Sequence, residues 1–180
     1  MKILLKTISI FSIFIAVISC ASNSAAPSSV SAEKLAAILQ SQEFTFMAKR
    51  ANPVGGDVNN ILNSFPNSSA SRILDLDYGY TVVIKKNELN VNLPYFGRLY
   101  NPSYDSTKNG YRFVSKDYKI TETPGRKGST LYQISTNDQQ FLKKMILEVF
   151  KNGKAYLSID SNDRQPISYD GYIMENSEKK

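Results

Sequence analysis

The chain has 180 residues, of which 42% are hydrophobic and 21% are charged, a composition typical of a globular domain. The formal net charge is +6, but the basic residues are not densely clustered, so we expect no nucleic-acid partner. Histidine is absent, which removes the commonest general base and the commonest neutral metal ligand from consideration.

The N-terminal segment has the organisation of an export signal. Lys2 and Lys6 provide a positively charged start, and the twelve residues 7–18 that follow carry no charge. A stretch of this length is too short to span a bilayer, but it suits the apolar region of a cleaved signal. We therefore predict a signal peptide at residues 1–19.

Residues 17–20, Val-Ile-Ser-Cys, resemble the lipobox of bacterial lipoproteins, whose usual form begins with Leu rather than Val. The resemblance implies cleavage after Ser19 and a lipid on the Cys20 sulfur, so that the membrane becomes a partner through this lipid. Cys20 is the only cysteine, and exported proteins usually pair or avoid a free thiol. The alternatives are an ordinary cleaved signal with a coincidental cysteine, or a membrane-anchor helix.

Residues 20–31 comprise the lipidated cysteine and a Ser/Ala-rich stretch whose composition predicts a flexible tether. Ala21 stands where Asp would resemble the inner-membrane retention signal of enteric bacteria, so we expect the outer membrane. No acidic residue precedes Glu33, whereas an acidic cluster after the cysteine would resemble a surface-export signal. We therefore expect an exported protein, lipid-anchored in the cell envelope at the outer membrane and facing the periplasm.

A short helix and then a series of strands are predicted after the tether. Leu35, Ile38 and Leu39 form one apolar face and predict a helix over residues 32–42. From Glu43 the apolar period changes to two, which predicts strands. The alternating apolar positions are Phe44, Phe46 and Ala48; Tyr80, Val82 and Ile84; Leu89, Val91 and Leu93; Tyr111 and Phe113; Tyr118 and Ile120; Tyr132 and Ile134; Met145, Leu147 and Val149; Ala155, Leu157 and Ile159; and Ile167, Tyr169 and Tyr172.

This pattern predicts a single β domain at residues 43–174, followed by a charged tail at 175–180. The fold class is all-β: an antiparallel β-sandwich or flattened barrel of about eight or nine strands with a short N-terminal helix. Asn152-Gly153 predicts a hairpin with a type I′ turn. Residues 52–71 form the longest irregular segment.

Four stretches together resemble a known family. They are FTFMAKRANPVGG at 44–56, LPYFGRLY at 93–100, VFKNGKAYLSI at 149–159 and SNDRQPISYDGYI at 161–173. They are similar to the domain-of-unknown-function family numbered 4251, small exported lipoproteins of Gram-negative bacteria. The resemblance covers about 43–174 and implies an envelope location and one compact domain. The activity of this family is unassigned, so the resemblance implies no functional residue.

An aromatic stretch offers the main candidate ligand-binding site. Tyr95, Phe96, Tyr100 and Tyr104 lie around Arg98 in the sequence. Aromatic rings can stack on a sugar or another planar ligand, while the guanidinium binds a carboxylate or phosphate. The alternative is that the aromatic side chains fill the end of a strand and that Arg98 stacks on one of them as part of the structure.

Three other features have a functional and a structural interpretation. Arg50 precedes Gly55-Gly56, whose amides could approach an anion, but paired glycines also mark ordinary turns. The Asp- and Asn-rich residues 160–172 lack the Gly and Glu positions of a calcium loop and indicate a turn.

The third feature is a set of basic groups: Lys85-Lys86, Arg126-Lys127, Lys143-Lys144 and Lys151/Lys154. They protect strand edges, or they attract anionic polymers or lipid headgroups if they share one face.

The sequence favours a non-enzymatic binding or scaffolding domain with a glycan or envelope-protein partner. We expect no catalytic residue, no cofactor and no metal, and we expect a monomer. One alternative is a carrier that holds a small apolar ligand inside a barrel. Another is a carbohydrate or peptidoglycan hydrolase, which would need two carboxylates in one cleft.

Overall fold

The computed structural model describes residues 32–64, 72–102, 104–105 and 109–176. The predicted signal peptide, Cys20 and the predicted tether lie outside these residues. The elements in chain order are α1 (Ala32–Ser41), β1 (Phe44–Pro53), α2 (Gly56–Ser64), β2 (Thr81–Lys85), β3 (Glu88–Leu93), β4 (Tyr111–Ser115), β5 (Tyr118–Pro124), a 3-10 turn (Arg126–Gly128), β6 (Thr130–Thr136), β7 (Leu142–Val149), β8 (Lys154–Ser161) and β9 (Ile167–Met174).

All nine strands belong to one sheet, in the order β4-β3-β2-β1-β9-β8-β7-β6-β5. Every pair of neighbours is antiparallel. The two edge strands, β4 and β5, are consecutive in the chain, and only Lys116 and Asp117 lie between them. The sheet must therefore curl until its edges approach each other. The result is a nearly closed barrel, which confirms the predicted all-β class.

Side chains and loops join the two edges where they meet. The Ser115 hydroxyl donates to a carboxylate oxygen of Asp138 at 2.6 Å, and the Lys116 N–H donates to the other oxygen at 3.0 Å. The Tyr118 hydroxyl donates to the carbonyl of Lys85, at the end of β2. Polar contacts therefore replace strand pairing at the seam, and they satisfy groups that an open edge would leave exposed.

The alternating apolar side chains fill the inside of the sheet. Phe44 packs against Tyr132 with ring centroids 5.4 Å apart, so β1 and β6 touch across the interior. Buried apolar side chains each stabilise the fold by about 1.5–3 kcal/mol. An empty lumen would leave its lining accessible to water, but the inward-facing residues of the strands are almost wholly buried. They include Phe44, Phe46, Val82, Ile84, Leu89, Leu93, Tyr111, Tyr132, Ile134, Met145, Leu147, Leu157, Ile159, Ile167 and Tyr169.

Helix α1 covers the end of the barrel at which β1 begins. Leu35 and Ile38 are buried against the core, and Leu39 packs at its margin. The helix ends at Ser41, whose hydroxyl donates to the Ile38 carbonyl at 2.7 Å. Lys34 forms a 3.0 Å ion pair with Glu175, beyond the end of β9. The predicted short N-terminal helix is therefore confirmed.

The expectation that residues 52–71 are irregular is wrong in part. β1 continues to Pro53, and α2 occupies Gly56–Ser64. Val58 packs against the core, whereas Ile61 is exposed. The helix has only nine residues, begins with Gly and contains three Asn residues, so the sequence pattern alone is too weak to indicate a helix.

The hairpin at Asn152-Gly153 lies where the sequence predicts it, but its turn is not type I′. Gly153 has φ +77°, whereas Asn152 is not among the residues with positive φ. The Gly153 N–H donates to Phe150 O at 2.9 Å, and the Phe150 N–H donates to Lys154 O at 2.9 Å. This is the longer hairpin, in which a turn is followed by one left-handed glycine. The sequence signal identified the glycine but not the loop length.

Gly171 allows a close approach between β9 and β1, and substitution there should destabilise the protein. A Cβ at this position would lie 2.1 Å from the Met47 carbonyl oxygen and 2.7 Å from the Phe46 ring. We expect Gly171→Ala to lower the free energy of unfolding by about 2 kcal/mol or more, because overpacking forces the strands apart.

Urea denaturation followed by circular dichroism measures this change, and Gly56→Ala is the matched control. A Cβ at Gly56 would meet nothing within 4 Å. The control should stay within about 0.5 kcal/mol of the unsubstituted protein. Equal stability of the two variants would contradict the close approach.

Candidate functional site

Two loops pair with each other at the end of the barrel opposite α1. They are the β3–β4 connection and residues 162–166 between β8 and β9. Leu99 and Arg164 form an isolated antiparallel bridge. The Tyr100 N–H donates to Asp163 O at 2.8 Å, and the Gln165 N–H donates to Arg98 O at 3.1 Å. The backbone of residues 98–100 is therefore fixed to the β8–β9 loop.

Arg164 is the centre of this arrangement. It is only 6% exposed, and its guanidinium carbon lies 5.0 Å from the ring centroid of Tyr95 and 4.7 Å from that of Tyr111. Asp163 accepts a charge-assisted hydrogen bond from Nη2 at 2.7 Å, and the Asn109 carbonyl accepts one from Nη1 at 2.9 Å. A buried guanidinium is tolerated only when its charge and its donors are satisfied in this way.

The tyrosine hydroxyls of this cluster bond to protein groups. Tyr95 Oη lies 2.9 Å from the Arg98 carbonyl and 3.0 Å from the Gln165 carbonyl. The Tyr111 hydroxyl pairs with the Ser161 hydroxyl at 2.8 Å. Burial raises the pKa of Tyr95 to about 12 although Arg164 opposes the change, so this phenol stays neutral near pH 7.

The charge of Arg164 is also stabilised by its surroundings. Burial acts to lower its pKa, but the hydrogen bond and the negative charge of Asp163 raise it, and Tyr111 and Tyr95 add to the increase. The net pKa is above the ordinary arginine value, so Arg164 is a permanent cation. It acts as a structural link between the two loops.

The predicted aromatic site divides into an inner and an outer part. The arginine that contacts the rings is Arg164, not Arg98 as the sequence order suggested. Tyr95 and Phe96 are half-buried, and both pack against the core. Tyr95 and Phe96 therefore fit the structural alternative, in which the aromatic side chains fill the end of a strand. The arginine of that alternative is wrong, because Arg164 rather than Arg98 stacks on a ring.

The outer part of the predicted site faces solvent. Tyr100 is 55% exposed, and Tyr104 is fully exposed. The Arg98 side chain is exposed and forms no ion pair with any of the described residues. One loop therefore presents two phenol rings and one guanidinium, and the backbone at Arg98 and Tyr100 is held by the β8–β9 loop.

The Arg50 side chain, predicted as a candidate beside Gly55-Gly56, is paired with a carboxylate. It is on β1, and its Nη1 is 2.6 Å from Asp75 Oδ1. Gly56 begins α2, so the two glycines mark a junction between a strand and a helix. The guanidinium is already paired with a carboxylate, which weakens its candidacy as a ligand-binding group. Cys20 lies outside the described residues.

No pattern in the sequence indicates the role of Arg164. In the sequence, Arg164 stands beside Asp163 in a polar stretch that indicates a turn. This is the usual setting of a solvent-exposed ion pair. Tyr111 and Tyr169 appear only as strand positions in the alternating pattern. Yet the Tyr169 hydroxyl donates to Pro94 O at 2.6 Å and fixes the start of the same loop. These contacts join residues about 55 to 75 positions apart, which no local pattern reports.

Two surface cavities flank α1. One has a volume of about 360 Å³ and includes Glu43, Lys86 and Tyr118, and the other has about 230 Å³ and includes Leu35 and Phe150. The first contains one carboxylate and the second none, so neither supplies the carboxylate pair of a glycoside hydrolase.

The described part of the chain contains no group of three or more His, Cys, Asp or Glu side chains placed to hold a metal ion. Its helices, within the same residues, lack the length and apolar character of a membrane-spanning segment.

The model of one protein family, described as a domain of unknown function (DUF4251), matches residues 27–173. The chain belongs to this family. The match confirms the resemblance found in the sequence, and it begins ahead of α1. The helix is therefore part of the family domain rather than an addition to the barrel.

One solved structure is similar to this chain. The crystal structure of a DUF4251 family protein from Bacteroides eggerthii is 14% identical, with a TM-score of 0.47. The match covers 82% of this chain and 89% of that one. No curated protein matches the chain.

Removal of the buried guanidinium should destabilise the domain. We expect Arg164→Met to lower the free energy of unfolding by about 3 kcal/mol, because Asp163 and two loop carbonyls lose their partner. Thermal and urea denaturation measure the change. Arg98→Met removes the same charge from an exposed side chain and should change stability by less than about 0.5 kcal/mol. If both variants lose the same amount, Arg164 does not link the two loops.

Proposed function

We propose that this DUF4251 protein is a lipid-anchored protein of the outer membrane that faces the periplasm. Its domain is a non-enzymatic binding or scaffolding module. The contact surface is the outer part of the β3–β4 loop, formed by Arg98, Tyr100 and Tyr104. We call these three residues the tyrosine loop.

The observation that carries the binding proposal is the contrast between fixed backbone and exposed side chains. The backbone of Arg98 and Tyr100 is bonded to the β8–β9 loop, and that loop is held by Arg164. The side chains of Arg98, Tyr100 and Tyr104 nevertheless face solvent. A preorganised surface loses less conformational entropy when it binds, so two exposed rings on a partly fixed loop suit recognition.

The chemistry of the tyrosine loop suits a glycan. Phenol rings stack on the apolar faces of sugars, and a guanidinium binds carboxylates in a bidentate manner. Envelope glycans carry both kinds of group. A protein partner with a proline- or carboxylate-rich surface is the second candidate, because tyrosine and arginine are also enriched at protein interfaces.

The alternatives have less support. A carrier needs an interior space of several hundred Å³, and the inward-facing side chains from Phe44 to Tyr169 leave no accessible lining. A hydrolase needs two carboxylates in one cleft, and the cavities beside α1 do not supply such a pair. Both findings favour a role for the surface of the domain.

The lipid anchor is proposed from the sequence before the domain. Cys20 follows an uncharged stretch of twelve residues, and the chain contains no second cysteine with which it could pair. The family match begins at residue 27, so Cys20 precedes the domain. Two or more acyl chains at this position would hold the protein at a membrane stably, whereas one chain would not.

The anchor is tested by Cys20→Ala in the full chain. We expect the unsubstituted protein to sediment with the membrane fraction and to require detergent for release. The variant should appear in the soluble fraction or remain as an unprocessed precursor of higher mass. Ser24→Ala, in the predicted tether, is the control and should leave the fractionation unchanged. Membrane association of Cys20→Ala at the mature mass would contradict lipidation.

The tyrosine loop is tested by cosedimentation of the chain from Ala21 onward with insoluble peptidoglycan. We expect Tyr100→Ala/Tyr104→Ala to lower the affinity about tenfold, since each stacked ring contributes roughly 0.5–1.5 kcal/mol. Tyr78→Ala/Tyr156→Ala removes two other exposed tyrosines and should bind normally. An equal loss in both double variants, or no binding by the unsubstituted chain, would count against a glycan partner.

A further inference from the structure

Three hairpin turns of the barrel each carry two cations. Residues 85–88, 125–129 and 150–154 contribute six basic side chains and one carboxylate, Glu88. We call these three turns the basic end. All six cations are exposed, and none forms an ion pair with any described residue: Lys85, Lys86, Arg126, Lys127, Lys151 and Lys154.

The register of the sheet places all three turns at the same end of the barrel. Phe44, at the start of β1, pairs with Ile84 at the end of β2. On the other side of β1, β9 ends near the start of β1, and its Tyr172 pairs with Lys154 at the start of β8. Val149 at the end of β7 then pairs with Thr130 at the start of β6. The turns are far apart in sequence, but antiparallel pairing brings them together.

Helix α1 lies among the three turns. Leu35 and Leu39 line the cavity of about 230 Å³ together with Gly128 and Lys151. At the other end of the helix, the Glu43 carboxylate accepts a 2.8 Å hydrogen bond from the Lys86 N–H. The chain therefore enters the domain through the centre of the basic end.

The carboxylates close to the basic end are mostly engaged. Glu43 accepts the Lys86 N–H, Glu148 accepts the Ser129 hydroxyl at 2.6 Å, and Glu175 pairs with Lys34. The exposed Glu33 and Glu122 lie on α1 and β5, outside the turns. The turns themselves project six cations against Glu88 alone.

An aromatic side chain accompanies the cations. Phe150 precedes Lys151 in the β7–β8 turn, is 38% exposed and lines the cavity beside α1. Cations around a partly exposed phenylalanine are typical of a surface that contacts lipid headgroups while the ring enters the acyl boundary. Solubility alone would not require an exposed ring at this position.

We propose that the basic end lies against the anionic phospholipid surface of a membrane. The six cations contact headgroup phosphates, and Phe150 contacts the interface. The orientation rests on the proposed anchor, because eleven residues separate Cys20 from α1 and can extend at most about 40 Å. The lipid therefore keeps this end near the bilayer, and the tyrosine loop faces away from it.

The test uses the chain from Ala21 onward, which contains every described residue and lacks Cys20. Its cosedimentation is measured with vesicles of phosphatidylcholine alone and with vesicles that also contain phosphatidylglycerol. We expect binding only to the anionic vesicles. Binding should weaken as salt is added, because salt screens exposed charges.

Paired substitutions distinguish the effect of cations at the basic end from the effect of net charge on vesicle binding. Lys85→Gln/Lys86→Gln and Lys151→Gln/Lys154→Gln should each lower the partition coefficient on the order of tenfold. The matched control is Lys143→Gln/Lys144→Gln, which removes the same charge at the opposite end of the barrel and should change it by less than about twofold. Circular dichroism shows that each variant is folded.

Two results would overturn the proposal. One is an equal loss in the control and in the turn variants, and the other is no binding to anionic vesicles, whether or not the protein binds a soluble anionic polysaccharide. Because the tested chain carries no lipid, its result is independent of the fractionation of Cys20→Ala. Failure of the lipid anchor and failure of the basic end are therefore distinguishable.

Discussion

The closure of the sheet on itself is the constraint on which the rest of the molecule depends. β4 and β5 are the two edges, yet only two residues connect them. A flat sheet of nine strands would place these edges far apart, so the strands must coil around a common interior. Closure gives the domain one packed inside and two separate ends. It also limits the length of edge that another chain could extend.

The two ends of the barrel are stabilised by different kinds of interaction. At one end α1 covers the barrel with apolar contacts from Leu35 and Ile38. At the other end the long β3–β4 loop is held by polar contacts around Arg164. A buried cation makes the stability of this loop depend on several partners at once, since a lost partner leaves a charge or a carbonyl unsatisfied. The backbone of residues 98–100 is therefore fixed while the Tyr100 side chain is exposed.

The sequence predicted the elements that depend on local patterns. The period-two runs located all nine strands, because most of the strands bury one face more than the other, although residues 44–48 of β1 are buried on both faces. α2 was missed because its apolar period is short, and the turn at Gly153 was assigned the wrong type because a dipeptide does not determine loop length. The contact of Arg164 with Tyr95 and Tyr111 could not be predicted, since it depends on how the sheet closes. The location of three basic pairs at one end of the barrel could not be predicted for the same reason.

The positions of the first and last strands determine which parts of such a domain can vary in sequence and length. β1 begins and β9 ends as antiparallel neighbours, with Thr45 opposite Met174. Both chain ends therefore leave from the side of the barrel that carries α1. On the opposite side, the described residues outside the strands belong to connections that return into the sheet. Insertions or replacements in those connections would change the surface at that end while the path of the chain through the sheet stays the same.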